Sequence, residues 1–297
     1  MRDYLSWFMT VSAFPEGDAA FLLSTYDAVQ ANHLTATVWQ EMLDAYEADL
    51  HCDFGLLLAE ARRVGNALGI HAFTVELLLL LCCTRRAKAA YAEEGLSEEL
   101  FRHTMLDLRY KLEECKAVYG ICGTFVAHWF AGFFHLTRFA FGRLQFEILP
   151  FGRAYSQNGK TLNEDSPVIN MHIPRTGTPL SPAGCDEAFR LAADFFRPRI
   201  GEHPLVFVCH SWLLYPAQRE FLSPKSNLIA FMDRFELLEG KDYEDSHPHL
   251  WRLFDRNYDG NPDHLPYDTS LRRAYVDRIK QGGKTGEGYG LFFYEGA

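Results

Sequence analysis

The chain has 297 residues, 48% of them hydrophobic and 23% charged, a globular composition with ample apolar surface for a core and no mark of disorder. Its 29 basic and 39 acidic residues give a formal net charge of −10, which opposes non-specific attraction to nucleic acid or to an anionic membrane. Seven cysteines, with no CxxC pair among them, signal neither a zinc site nor a disulfide framework and fit a reducing cytoplasm.

The opening stretch, MRDYLSWFMTVSAFPEGD, has one basic residue, an acidic third position and no sustained apolar run, so a secretory leader is not expected. From there to about residue 140, apolar residues recur at three- and four-residue spacing with almost no proline after Pro15, which predicts about five to seven helices. In VWQEMLDAYEADL, for example, Val38, Met42, Ala45 and Tyr46 share a face from which Gln40, Glu41, Asp44 and Glu47 turn away. Ser97 before Glu98 and Glu99 reads as an N-cap with acids in the first turn. Two apolar stretches need testing against the about 20 residues of a membrane span. FTVELLLLLCC (73–83) is too short and carries Glu76, while residues 118–141 contain His128, His135 and Arg138; the second is expected as a buried core helix.

From Arg143 the pattern changes. RLQFEILPF and PVINMHIP are short and rich in Ile, Val and Phe, and a polar loop with Asn158-Gly159 separates them, which predicts strands of one sheet. RTGTPLSPAG is then a loop ending at Ser181, a natural N-cap with Pro182 at the first helical position, followed by a helix with Ala188, Phe189, Ala192, Phe195 and Phe196 on its apolar face. PLVFVCHSW reads as a strand buried on both faces. Beyond it come a helix start at Ser226 or Asn227, a strand at FELLE, a helix from Asp268 or Thr269, and a last strand at GLFFY preceded by GGKTGEGYG as a mobile loop. The expected fold is therefore an all-helical N-terminal domain, 1–140, followed by a mixed α/β domain, 141–297.

Five phrases, FGRLQFE, VINMHIP, CHSWLLYP, SNLIAFMDRF and LPYDTSLRRA, occur in an order that resembles the bacterial two-part acyltransferases. These join a helical N-terminal acyltransferase-associated domain to a GNAT-like C-terminal domain, and the resemblance covers nearly the full length. It implies an N-acyltransferase that moves an acyl group from acyl-CoA, its co-substrate, directly to a small-molecule amine acceptor in a ternary complex; composition and charge add the expectation of no metal, nucleic-acid or membrane partner. It leaves the acceptor, the acyl chain and the oligomeric state open. Laid on this chain, the family plan makes VINMHIP the central strand, RTGTPLSPAG the pyrophosphate loop, residues 182–197 the helix and LVFVCHSW a splayed neighbour. Arg175, Gly177, Ser181 and Gly184 then fall to the cofactor, where backbone N–H groups at a helix start and a guanidinium favour an anion. The usual GNAT loop signature is absent, because Arg175 is followed by Thr-Gly-Thr-Pro-Leu-Ser-Pro, so an ordinary capped strand-to-helix loop competes with this assignment.

Direct acyl transfer needs a base for the amine, a donor for the oxyanion and an acid for the departing thiolate. His210, His172, Glu147 and Tyr215 are the candidates near the proposed gap, with Ser211, Trp212 and Arg273 on the substrate side. Against these stand ordinary roles: a hydrogen-bonded core histidine for His172, a solvated strand face for Glu147, and a salt bridge for Arg273. Cys209, His210 and Ser211 are consecutive, but strand side chains alternate, so His210 points away from the other two and no dyad forms among them. A Cys209- or Ser211-dependent hydrolase or transferase, needing a base from elsewhere, is one alternative; a non-catalytic binding or regulatory protein holding a CoA-like ligand is another. DRNYDG (255–260) matches half an EF-hand loop, but Pro262 and Pro266 break the rest, and Arg278 stands where the GKT stretch would need the first P-loop glycine. HPHLW, with His247 and His249, reads as surface.

Overall fold

Seven helices carry the chain from Arg2 to Tyr119 in the computed structural model, which describes residues 1–244 and 247–296. They are α1 (Arg2–Val11), α2 (Glu16–Ala31), α3 (His33–Ala48), α4 (Phe54–Leu68), α5 (Ala72–Glu93), α6 (Glu98–Met105) and α7 (Asp107–Tyr119). In α3 the buried face is Thr35, Trp39, Met42 and Tyr46, one residue round from the face expected through Val38. Ser97 caps α6 by accepting from the Leu100 N–H at 3.1 Å. The centre is α5, which touches α1, α2, α3, α4, α6 and α7 and is buried on every side from Thr74 to Thr84. Glu76, inside that run, pairs with Arg62 Nε at 2.5 Å, and burial holds its carboxyl above the ordinary range. Among the described residues no helix is long and apolar enough to cross a membrane.

The core helix expected over 118–141 does not form. Gly120 ends α7 in the left-handed region (φ 70°), and Gly123 lies so close to the α5 start that a Cβ there would sit 2.4 Å from the Phe73 carbonyl carbon. The chain then makes a 3-10 turn (Ala127–Phe130), a short helix α8 (Ala131–Phe134) and strand β1 (Arg138–Phe141). Phe130, Phe133 and Phe134 are buried as the composition required, but on a path bent by glycines.

The chain forms two compact units that divide at Phe139/Ala140, inside β1. The second unit continues with β2 (Leu144–Pro150), β3 (Tyr155–Gln157), β4 (Lys160–Leu162), β5 (Pro167–His172), α9 (Pro182–Ile200) and β6 (Val206–Ser211). After them come α10 (Gln218–Phe221), α11 (Asn227–Met232), β7 (Glu236–Asp242), α12 (Leu250–Phe254), α13 (Ser270–Lys280) and β8 (Gly286–Phe293). The six-stranded sheet has the order β1-β2-β5-β6-β8-β7, with β5 and β6 parallel and β2–β5, β6–β8 and β7–β8 antiparallel. β3 and β4 form a separate hairpin around Asn158-Gly159, both at positive φ (54° and 74°), as a two-residue hairpin turn requires.

Alternation sorts the sheet into two faces. Phe146, Phe207 and Phe292 form one with Phe189 of α9, at ring separations of 4.9–6.1 Å. The other carries Val168, Val206, Val208 and Leu291, closed over by Phe151, Tyr155 and Leu162 from the hairpin and its approach. The stretch expected as a mobile loop before the last strand is strand from Gly286 onward. Its glycines admit a close neighbour: a Cβ at Gly288 would fall 2.1 Å from the Leu214 carbonyl oxygen, and one at Gly286 would fall 2.5 Å from the Tyr215 ring.

Candidate active site

The parallel register between β5 and β6 is two pairs long, Ile169 with Phe207 and Asn170 with Val208. Beyond it β5 stays paired to β2 as far as His172, and β6 stays paired to β8 as far as Ser211. The two strands therefore part at their C-terminal ends. Each arm of the gap carries a histidine two residues past the last pair, His172 on one side and His210 on the other, so both belong to the face of Asn170 and Val208. Cross-strand partners place Glu147 and Tyr289 on that face too. One end of the face is the apolar cluster under the hairpin; the other is polar.

On the first arm, His172 Nε2 lies 2.6 Å from Glu147 Oε1, and Asn170 Nδ2 donates to the same carboxylate oxygen at 3.2 Å. Glu147 pairs with Asn170 across β2–β5, so its side chain reaches His172 on the adjacent diagonal. The expected solvated strand face for Glu147 is corrected here: only 7% of the residue is exposed. Asn170 Nδ2 also lies 3.1 Å from His172 Nε2, and the 2.6 Å contact to the carboxylate is satisfied by the tautomer that carries its proton on Nε2.

On the second arm, His210 is exposed, with Nε2 3.4 Å from Glu287 Oε1. The other oxygen of Glu287 accepts from the Tyr243 hydroxyl at 2.7 Å, and burial raises that phenol well above its usual range. Glu287, Tyr243 and Tyr289 were not singled out from the sequence. Glu287 and Tyr289 alternate with glycines in GEGYG, the period-two pattern of a strand with one crowded face, and that was the available clue.

Cys209 is fully buried and its thiol is pushed up to about 12 by desolvation, so it holds no thiolate at neutral pH. Ser211 Oγ accepts from the Leu213 N–H at 3.2 Å and caps a 3-10 turn. Tyr215 donates to Asp242 Oδ1 at 2.7 Å, its phenol pushed up to about 12 chiefly by burial. It packs on the glycine face of β8, opposite Glu287 and Tyr289, so it does not join the histidines. Trp212 stacks on His249 with ring centroids 5.4 Å apart. His249 is buried rather than on the surface, enclosed by Trp212, Tyr243 and Tyr275, and desolvation drives its imidazole down to about 3. The Arg273 guanidinium donates to the Asp268 carbonyl at 3.1 Å, at the start of its own helix.

The loop after β5 is stapled by Arg143, whose Nε donates to the carbonyls of Thr178 and Pro179 at 3.0 and 3.2 Å. Gly177 adopts φ 77°, a conformation other residues resist. Ser181 caps α9 by accepting from Gly184 N at 3.2 Å, which commits that hydroxyl and that N–H to each other. Arg175 pairs with Asp255, the first residue of DRNYDG, and Asp255 Oδ2 also accepts from Arg272 at 2.8 Å. The aspartate of the half EF-hand match thus serves two arginines.

A central strand, a loop running into a capped helix, and a parallel neighbour that splays away define a GNAT-like fold, which follows the helical unit in the chain. Residues 138–292 match the GNAT-like C-terminal domain and residues 3–136 the N-acyltransferase N-terminal domain, and the chain belongs to the family that combines them. Among solved structures, a mutant acyltransferase in complex with octanoyl-CoA is 22% identical, over 96% of this chain and 86% of that one, with a TM-score of 0.73. An acyltransferase in complex with decanoyl-CoA and teicoplanin is 21% identical, over 97% and 99%, with a TM-score of 0.63. Another, with decanoyl-CoA, is 23% identical, over 77% and 67%, with a TM-score of 0.63. No curated protein matches the sequence significantly.

Proposed function

We propose that the protein transfers an acyl group from acyl-CoA to the amine of a small-molecule acceptor, by direct attack within a ternary complex. The observation that carries this is the Glu147–His172 pair at the point where β5 and β6 part, since a base oriented by a carboxylate at the mouth of a gap is what amine acylation requires. The acyl-CoA and CoA held by structural neighbours support the choice of donor. His172 takes a proton from the amine as its nitrogen attacks the thioester carbonyl; the C–N bond forms, the C–S bond breaks, and the thiolate leaves with a proton from His210 on the other arm. Arg175, Gly177, Ser181 and Gly184 form the wall for the pyrophosphate, with Arg175 exchanging Asp255 for a phosphate oxygen. Trp212 supplies aromatic surface on the acceptor side, while Ser211 and Arg273 hold the turns beside it. Cys209 and Tyr215 are structural.

Acyl-CoA at about 100 times its Kd stabilises a native protein by about 2.7 kcal/mol. Melting curves with CoA, acetyl-CoA, octanoyl-CoA and decanoyl-CoA are expected to rise, and CoA release is expected to need both an acyl-CoA donor and an amine. Unshifted melting with every acyl-CoA at saturation would overturn the assignment.

A further inference from the structure

A groove of about 480 Å³ opens beside the β3–β4 hairpin, lined by Gly152, Arg153, Tyr155, Gln157, Leu238 and Glu239 among others. Its volume is that of a small-molecule site, and its walls are mainly polar. The Arg153 guanidinium, one of its walls, lies over the Tyr289 ring, 4.4 Å from the centroid, and pairs with Glu239. Tyr155 donates to Glu236 Oε2 at 2.8 Å and fixes the adjoining wall. Glu239 follows a register shift in β7, an irregularity that re-aims a side chain towards the groove.

Tyr289 is the direct partner of His210 across β6–β8, with ring centroids 6.2 Å apart, so Arg153 stands one aromatic ring away from the second arm of the gap. The Arg153 and Glu239 side chains are 37% and 62% exposed, and an ion pair so open to water is weak enough to exchange. A guanidinium carries its N–H groups along its edge, where two of them match a carboxylate in parallel hydrogen bonds.

We propose that this groove is the acceptor subsite and that the acceptor is an amino-carboxylate, its carboxylate taken by Arg153 in exchange for Glu239 while its amine reaches the gap between His172 and His210. The subsite depends on acyl transfer being the reaction, and its test separates the two. ε-Aminocaproate and γ-aminobutyrate are compared with their carboxamides, which keep the amine and lack the carboxylate charge, with octanoyl-CoA as donor. Wild type is expected to prefer the carboxylates by about tenfold in kcat/KM. Arg153→Gln should bring that ratio near unity, and Glu239→Gln should raise it, because the internal competitor is gone. Both acceptors are read on one protein, so a loss of folded enzyme cancels in the ratio. Equal use of acid and amide by wild type, or an undiminished preference in Arg153→Gln, overturns the subsite. Calorimetric titration of ε-aminocaproate, with and without CoA, decides the case without turnover. Binding that Arg153→Gln abolishes upholds the groove even if no transfer occurs, and no binding to wild type overturns it.

Discussion

Glu147 and His172 stand 25 positions apart in sequence and 2.6 Å apart in space, and the consequence is coupled behaviour under mutation. A general base contributes about 10²- to 10⁴-fold, so His172→Ala is expected to lower kcat/KM with amine acceptors by that range. Glu147 acts through the imidazole, so Glu147→Ala should cost less, and the double variant should be no worse than His172→Ala alone. Additive losses in that cycle would mean that the carboxylate touches substrate independently. Sequence reasoning found both residues but not their partnership, because the β2–β5 register is set across an inserted hairpin that no local pattern fixes. It did resolve Cys209, His210 and Ser211, since alternation along one strand is a local property: the thiol is buried and the imidazole exposed. His249 was misplaced for the opposite reason. Trp212, Tyr243 and Tyr275, which bury it, come from three separate segments.

Element boundaries show where local chemistry suffices. Ser97, Ser181, Ser226 and Thr269 each cap the helix expected after them, because an N-cap needs only its own next three residues. Glycines are harder to read, since what they admit lies elsewhere in the chain. The apolar run 118–141 looked helical until Gly123 met the Phe73 backbone, and GEGYG looked like a loop although Gly286 and Gly288 make room for Tyr215 and Leu214. Gly288→Ala tests that account. Its Cβ would meet backbone at Leu214, which cannot rotate aside, so about 1–3 kcal/mol of stability should be lost in urea unfolding. Gly17→Ala, in helix α2 with open space around the new methyl, should be neutral or slightly stabilising. Equal responses from the two would remove steric approach as the reason for glycine in β8.

At the scale of the molecule, the change from helical to strand-like patterning near residue 140 was legible, but strand order was not, since order is decided by which crossovers pack. Net charge was legible too, and it bears on the proposed donor. CoA is polyanionic, and a chain of formal charge −10 repels it at long range, whereas Arg175 attracts it only at contact. Screening separates the two effects by distance: the Debye length falls from about 30 Å at ~0.01 M salt to about 10 Å at ~0.1 M, so the long-range repulsion fades while contact pairs persist. Over that interval KM for acyl-CoA is therefore expected to fall by up to about threefold. Further salt should weaken the contact pairs and raise it again, giving a minimum in a potassium chloride series. A KM that climbs from the lowest salt onward would show that local basic groups govern the approach of CoA, and that net charge does not.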